Sequence, residues 1–410
     1  MHVLLLTHYF WPELGAPQVI HAEWIKRFTR KGHQVTVVTC FPHYPDGVIK
    51  PGYRNRLLME EERDGARIFR TATYAARNAG SVKRALNHLS LTASCWAAWP
   101  KLGRFDVVMT EYPPLFTALS GLAMARLRGV PHVLNAGDLF VEVALEMGAL
   151  PAGPIGDAFL ALSQAIERRS TVIVTAEGCI DKLAGYGISR DQLEYLPNSV
   201  DSERFVFDPE RRRRVRAERG WNEGQIIALY HGTHGMAQNL CQVVEAAARL
   251  RDLKHIRFVL IGDGADKPAV MRRAAELGVG NVDFLAPESF DKMPGLVDAC
   301  DIGLVPLRRM PQFELTLPSK MFEFMSAQRP VVLGVAGDAR RIIEGAGAGL
   351  AHDPDDAEGL AAAVRTLADD PARRAQMGAK GRAAVVERYS RDRFADDLER
   401  VLEKAVARSR

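Results

Sequence analysis

The sequence predicts an α/β protein made of two doubly wound domains that face each other across a cleft. Three observations carry this expectation. Short apolar, β-rich runs alternate with longer helical patterns, which is the rhythm of parallel sheets with helices on both faces. The rhythm runs through the first half of the chain, breaks, and restarts. The chain has 410 residues, too many for one ordinary α/β domain and comfortable for two.

In the first half, strands are expected over 3–7, 34–39, 106–110, 130–135, 171–174 and 193–196, with a hairpin around 57–70. Helices are expected over 17–31, 82–99, 114–128, 155–169 and 177–186. Gly32 stands where a helix C-cap belongs, just before the second strand. The break falls over 197–219, around Pro197-Asn198-Ser199 and Asp208-Pro209, and its arginine run 211–214 reads as a solvated linker helix. The second half places strands over 226–231, 256–261, 282–285, 301–305, 331–333 and 349–351, with helices over 239–251, 266–277, 291–299, 318–327 and 356–367. The expected domains are therefore 1–200 and 201–388, with a charged helix over 389–410 packing back across the linker.

Apolar residues make up 47% of the chain and charged residues 25%, the balance of a soluble globular protein. The net charge is +4, and the first 110 residues hold fifteen Lys/Arg against eight Asp/Glu. That bias suits an anionic partner or an anionic membrane surface, with a merely solvated surface as the plain alternative. No nucleic-acid motif appears, so nucleic acid is not an expected partner. Cys40, Cys95, Cys179, Cys241 and Cys300 are far apart and form no CxxC or Cys/His cluster, which fits a reducing cytoplasm. The N-terminus reads as a buried first strand rather than a signal peptide. No apolar run reaches the roughly 18 residues of a membrane span. The stretch 82–99, with Trp96 and Trp99, reads either as a core helix or as an amphipathic surface resting on the inner face of a membrane.

Ligands of doubly wound sheets bind beyond the carboxyl ends of the strands, so the loops there carry the chemistry. After the first strand, Gly15-Ala16 lets the backbone approach a ligand, and the following helix offers its N-terminus to an anion. A GxGxxG fingerprint is absent, which disfavours a nicotinamide cofactor. Asp138, in Asn135-Ala136-Gly137-Asp138-Leu139, is either a site carboxylate or a helix cap. In the second half, Tyr230-His231-Gly232-Thr233-His234-Gly235 is a turn whose Gly232 and Gly235 amides suit a diphosphate. In Leu317-Pro318-Ser319-Lys320-Met321-Phe322-Glu323, Lys320 and Glu323 share one helical face. The ammonium can neutralise phosphate, and the carboxylate can accept two hydrogen bonds from a ribose diol. Gly262-Asp263-Gly264, Leu285-Ala286-Pro287 and Val305-Pro306-Leu307-Arg308 each follow a strand and point to the same place.

These segments, with Trp11-Pro12-Glu13-Leu14-Gly15, Gly32-His33-Gln34-Val35-Thr36-Val37 and Pro42-His43-Tyr44-Pro45, resemble glycosyltransferase family 4. The likeness is to its bacterial branch of colanic-acid and O-antigen assembly. It covers residues 1 to about 389 and implies the GT-B fold, two Rossmann-like domains with the donor held by the second. It also implies retaining transfer from a nucleotide-diphosphate sugar, a UDP-sugar above others, with no obligatory metal or further cofactor. The acceptor would be a glycan, a lipid-linked or a small molecule. Lys320, Glu323 and Asp138 would then be catalytic. Gly15, Gly232, Thr233, Gly235, Gly262, Asp263, Arg308, Leu317 and Ser319 would meet the donor with Lys320 and Glu323, and Leu285, Ala286 and Pro287 would hold the base. Two departures stand out. Thr233 and Gln238 or Asn239 occupy the region where the family commonly has Arg and Lys, and Leu315 replaces the upstream glutamate, with Glu314 one residue off. Asp353-Pro354-Asp355 is the only DxD-like string and reads as a loop leading into a helix. A nucleotide-sugar epimerase and a non-catalytic nucleotide-sugar-binding subunit are the alternative functions.

Overall fold

The computed structural model describes residues 1–13, 16–44, 46–76, 81–137 and 139–409. They form two compact units, Met1–Pro197 with Arg391–Arg410, and Asn198–Ser390.

The first unit carries β1 His2–Leu6, β2 Gln34–Cys40, β3 Leu58–Arg63, β4 Ala66–Thr71, β5 Val107–Tyr112, β6 His132–Ala136, β7 Thr171–Val174 and β8 Leu193–Tyr195. They lie in the order β3-β4-β2-β1-β5-β6-β7-β8. The β3–β4 pair is antiparallel and all other neighbours are parallel. The strand order reverses between β1 and β5, so this is a doubly wound sheet with its switch point there. Such strands are covered on both faces and therefore read as near-continuous apolar runs. Val3, Leu5, Val107 and Met109 face one core with Trp24, Ile25 and Phe28 of the helix Ala16–Arg30. Leu4, Leu6, Val38 and Val108 face the other.

The helix Arg391–Ser409 buries Phe394, Leu398 and Leu402 in the Trp24 core. Lys31 Nζ meets Asp396 Oδ1 at 2.7 Å and Glu399 Oε2 at 2.5 Å, while His33 Nε2 lies 2.6 Å from Glu399 Oε1. The stretch expected as one helix over 82–99 is an α-helix to Ser94 followed by the 3₁₀ segment Cys95–Lys101, which contains Pro100. Trp96 and Trp99 pack on the second core, with the Arg128 guanidinium 4.5 Å from the Trp99 ring. No helix among the described residues is long and apolar enough to cross a membrane.

The second unit carries β9 Ile226–His231, β10 Ile256–Ile261, β11 Val282–Leu285, β12 Ile302–Pro306, β13 Val331–Gly334 and β14 Gly349–Ala351. They form a parallel sheet ordered β11-β10-β9-β12-β13-β14, which reverses between β9 and β12. Its core joins Phe258, Leu260 and Leu304 to Val243 and Ala247 on one helix and Leu360 and Val364 on another. Three helices were not foreseen, Phe140–Glu146, Asp338–Ala346 and Pro371–Ala384. The first is only two turns long and the last carries Gly378 and Gly381, so neither shows a full apolar stripe.

The solvated reading of the arginine run is corrected. Helix Pro209–Arg219 is capped by the Asp208 side chain, which accepts from the Glu210 and Arg211 amides. Arg211 Nε donates to Asp298 Oδ2 at 2.5 Å, and Arg212 Nη1 donates to the carbonyls of Asp298, Ala299 and Cys300 at 3.0, 3.2 and 2.8 Å. Arg216, 1% exposed, lies 3.2 Å from Asp301 Oδ2. A helix leaves its last four carbonyls without partners, and here guanidinium groups satisfy those of Asp298 and Ala299 at the end of Met293–Ala299. Arg211 and Arg212 are thus packed parts of the second unit, while Arg213 and Arg214 of the same run are exposed as expected.

Candidate active site

The three strand-end loops of the second sheet are stitched together by backbone. The Gly232 amide donates to Ile261 O at 2.8 Å, His234 N to Asp263 O at 2.8 Å, and Gly262 N to Leu285 O at 3.3 Å. Lys267 Nζ ties the same loops by donating to Gly262 O at 2.7 Å and Leu285 O at 3.1 Å. Gly262 is glycine for a steric reason. Its φ is +143°, and a Cβ there would lie 1.8 Å from Gly232 O. The loops after β9, β10 and β11 thus form one surface at the carboxyl end of the sheet, beside its switch point.

Lys320 joins this surface. It sits in the first turn of helix Ser319–Ser326, and a Cβ on Gly232 would lie 2.6 Å from its Cε and 3.0 Å from its Nζ. The ammonium lies 5.4 Å from the centre of the Tyr230 ring. Burial lowers the Lys320 pKa, and the Glu323 charge opposes that shift. Glu323 turns toward β9, where its Oε2 lies 3.3 Å from His231 Nε2. That contact is bent, so Nε2 completes no straight hydrogen bond. Burial, followed by the Lys320 charge, pulls the His231 pKa down to about 3. The imidazole is therefore neutral beside the carboxylate, with its ring edge-on to Phe324. The convergence of glycine turn, lysine and glutamate is present within one unit.

Other expected residues fall less simply. The Gly232 amide is engaged as above, and Gly235 N donates to Gln238 Oε1 at 3.1 Å. The expectation that these two amides face a diphosphate is corrected, because the loop uses them to hold its own shape. Among the described residues, the Thr233 N–H has no acceptor, and neither do those of Met236 and Ala237 further along the turn. Asp263 Oδ1 accepts from its neighbour Gly264 at 2.8 Å. Leu285 is half-buried, and Ala286, Pro287 and Ser319 are exposed. Leu317 is buried, and its carbonyl accepts from Asn198 Nδ2 at 2.8 Å. The Arg308 amide donates to Ala237 O at 2.8 Å, which fixes its loop beside the glycine turn. Asp353 and Asp355 accept from Arg340 and from Arg309 and Asn239, while Asp356 caps the helix Ala357–Asp369. Gly15 and Asp138 lie outside the described residues.

The first unit brings its own strand ends together. Glu13, 1% exposed, accepts from the amides of Phe10, His43 and Tyr44 at 3.2, 2.8 and 2.7 Å. Asn87 bridges His8 Nε2 and His43 Nε2 at 2.7 and 2.8 Å. His8, Cys40 and His43 cluster closely enough for a metal, but His43 Nδ1 is engaged with Phe41 O at 2.8 Å and burial keeps the Cys40 thiol protonated. The loops after β1 and β2 are thereby fixed to each other. Sequence reasoning missed the group beside them, in which Asn135 Nδ2 donates to Glu111 Oε2 at 2.7 Å and His21 Nε2 lies 3.0 Å from the same oxygen. The only signal for it was an acidic residue ending an otherwise apolar strand.

Residues 15–199 match the family model described as glycosyl transferase 4-like domain, and residues 225–370 match that of glycosyl transferases group 1. The chain is 26% identical over 377 residues to WcaI of Escherichia coli K12, whose name places it as a glycosyl transferase of colanic acid biosynthesis. That match covers 89% of this chain and 91% of WcaI. Sucrose-phosphate synthase from Thermosynechococcus elongatus superposes with a TM-score of 0.80 at 18% identity over 99% of both chains. HepE of Anabaena, solved with UDP-glucose, superposes with a TM-score of 0.73 at 16% identity over 98% of this chain and 99% of its own.

Proposed function

Because the chain belongs to the group 1 and 4-like glycosyltransferases and has the GT-B fold, we propose that it moves a sugar from a nucleotide-diphosphate donor, UDP-linked, to a glycan or lipid-linked acceptor. The placement of Lys320 carries this reading. A buried ammonium resting on Gly232, at the switch point of the second sheet, meets charge that grows on the departing diphosphate. Glu323, backed by neutral His231, is an acceptor for the ribose diol. Thr233 N–H and the N-terminus of helix Ser319–Ser326 add donors and a positive end. Asp353 and Asp355 accept from neighbouring donors, which supports a reading in which Lys320 supplies the counter-charge without a DxD-bound metal. Family resemblance supports retention at the anomeric carbon. The UDP-glucose complex of HepE supports the choice of nucleotide, and WcaI supports a place in cell-surface polysaccharide assembly. Asp138 belongs to this reading through the resemblance and Gly15 through the turn that opens the first helix, while action at the inner face of the membrane rests on the basic bias of the first 110 residues and the amphipathic stretch 82–99.

The decisive experiment pairs binding with turnover. UDP should raise the melting temperature of the wild type, since a ligand of the folded state stabilises it by mass action. Lys320→Ala should lose most of that shift and all measurable sugar transfer, with its fold intact. Near-normal turnover in Lys320→Ala would remove the assigned role. A donor returned as its isomer in the absence of acceptor would favour an epimerase.

A further inference from the structure

Glu111 is the last acidic residue one expects in the core of a parallel sheet. It lies in β5, in register with Asn135 of β6, and β5 flanks the β1/β5 switch point of the first sheet. Ligands of open α/β sheets settle outside the carboxyl ends of the strands at that place.

The side chain is held from two sides. Trp24 Nε1 donates to His21 Nδ1 at 3.0 Å. Indole nitrogen is only a donor, so the neutral imidazole carries its proton on Nε2. That proton faces Glu111 Oε2 across 3.0 Å in a bent contact. His21 is 2% exposed and Glu111 15%. Asn135 Nδ2 donates to the same oxygen. Asn135 thus anchors Oε2 by a hydrogen bond, His21 Nε2 packs against the same oxygen, and among the described residues nothing donates to Oε1. A carboxyl group fixed through one oxygen, with the other unengaged, is built to accept a hydrogen bond from a ligand. Its charge repels phosphate and favours hydroxyl donors.

We infer that Glu111 is the hydroxyl-recognition residue of an acceptor site on the first unit, held in place by His21 and Asn135, and that its ligand is a neutral sugar or polyol face rather than the diphosphate. This rests on the transferase reading and adds the acceptor side to it. His21 is a positioning residue, acting through Glu111.

Saturation-transfer NMR with octyl β-D-glucoside, octyl β-D-galactoside and octyl α-D-mannoside tests this on the full chain. Each is kept below its micelle concentration, with UDP present. At least one should bind the wild type, and Glu111→Gln should weaken it by about tenfold or more, the loss expected for a hydrogen bond to a charged group. His21→Leu should weaken it as well. His21→Gln should restore it, because the glutamine amide can present an N–H where Nε2 stood. The UDP-induced melting shift should be the same in all four proteins. No glycoside binding to the wild type, or unchanged binding in Glu111→Gln, overturns the inference. So does a Glu111→Gln protein that melts well below the wild type, since Glu111 would then be structural. A wild type without any UDP shift sinks the donor reading instead.

Discussion

Gly232 and Lys320 are coupled through volume. The lysine aliphatic chain occupies the space a side chain at 232 would take, with 2.6 Å between Cε and an added Cβ. Gly232→Ala should therefore displace the ammonium while leaving most of the unit folded, and the φ of +119° adds strain of about 1–3 kcal/mol. UDP affinity, read by calorimetry, should fall more than urea stability does. Gly262→Ala should behave differently, because its Cβ would meet backbone, Gly232 O, at 1.8 Å. There the loops themselves must part, and urea unfolding should show a loss of at least about 3 kcal/mol. Lys320 and Glu323 were legible in the sequence because one short helix carries both. His231 was not, because its role depends on β9 lying beside that helix. Glu111 and His21 were not, because ninety residues separate partners that only the sheet order brings together.

At the scale of elements, strands were the most readable feature. Runs such as Val35, Val37 and Val38 are apolar because both faces of β2 are covered, and burial on both sides leaves no alternation to confuse with a helix. Helix Pro209–Arg219 was misread for the opposite reason. Its arginines look alike in the sequence, and only the carbonyl end of Met293–Ala299 and the carboxylates of Asp298 and Asp301 set Arg211, Arg212 and Arg216 apart from the exposed Arg213 and Arg214. Asp301→Ala should leave Arg216 with only the exposed Glu223, 3.7 Å away, as a counter-ion. Breaking a buried pair in this way costs about 3–5 kcal/mol, measurable as a drop in the denaturation midpoint of the second unit. In helix Arg391–Ser409, Leu398 is fully buried against Trp24 and Phe28. Leu398→Ala should cost about 2–5 kcal/mol, read in the full chain as a lower urea midpoint for the first unit.

At the scale of the whole molecule, three histidines make stability depend on pH. Burial is the largest cause lowering His8, His132 and His231 to about 3 from an ordinary value of 6.5. They stay neutral in the folded protein while the unfolded chain binds protons below pH 6.5, so the unfolded state gains from acid and stability falls as pH drops from about 6.5 toward 3. Each contributes a slope of at most about 1.4 kcal/mol per pH unit. Urea midpoints at pH 7 and pH 5 should differ accordingly. His132→Gln should flatten the dependence of the first unit, because the remaining contacts to Thr110 and Ser170 involve groups that do not titrate. The two-fold strand rhythm was visible from composition and periodicity, whereas the discontinuous make-up of the first unit is a matter of where the last helix docks.

That docking bears on how the chain is made. The second unit interrupts the first, leaving at Pro197 and returning at Arg391, and its own ends are clasped by the Val200 amide donating to Tyr389 O at 2.9 Å. A ribosome thus releases the whole second unit before the residues that finish the first one. Until then Trp24 and Phe28 lack their cover, and an unfinished chain presents a greasy stripe that invites chaperones. A released chain ending at residue 390 should hold a compact second unit tethered to an adhesive first, and protease digestion of that chain should spare the former and shred the latter.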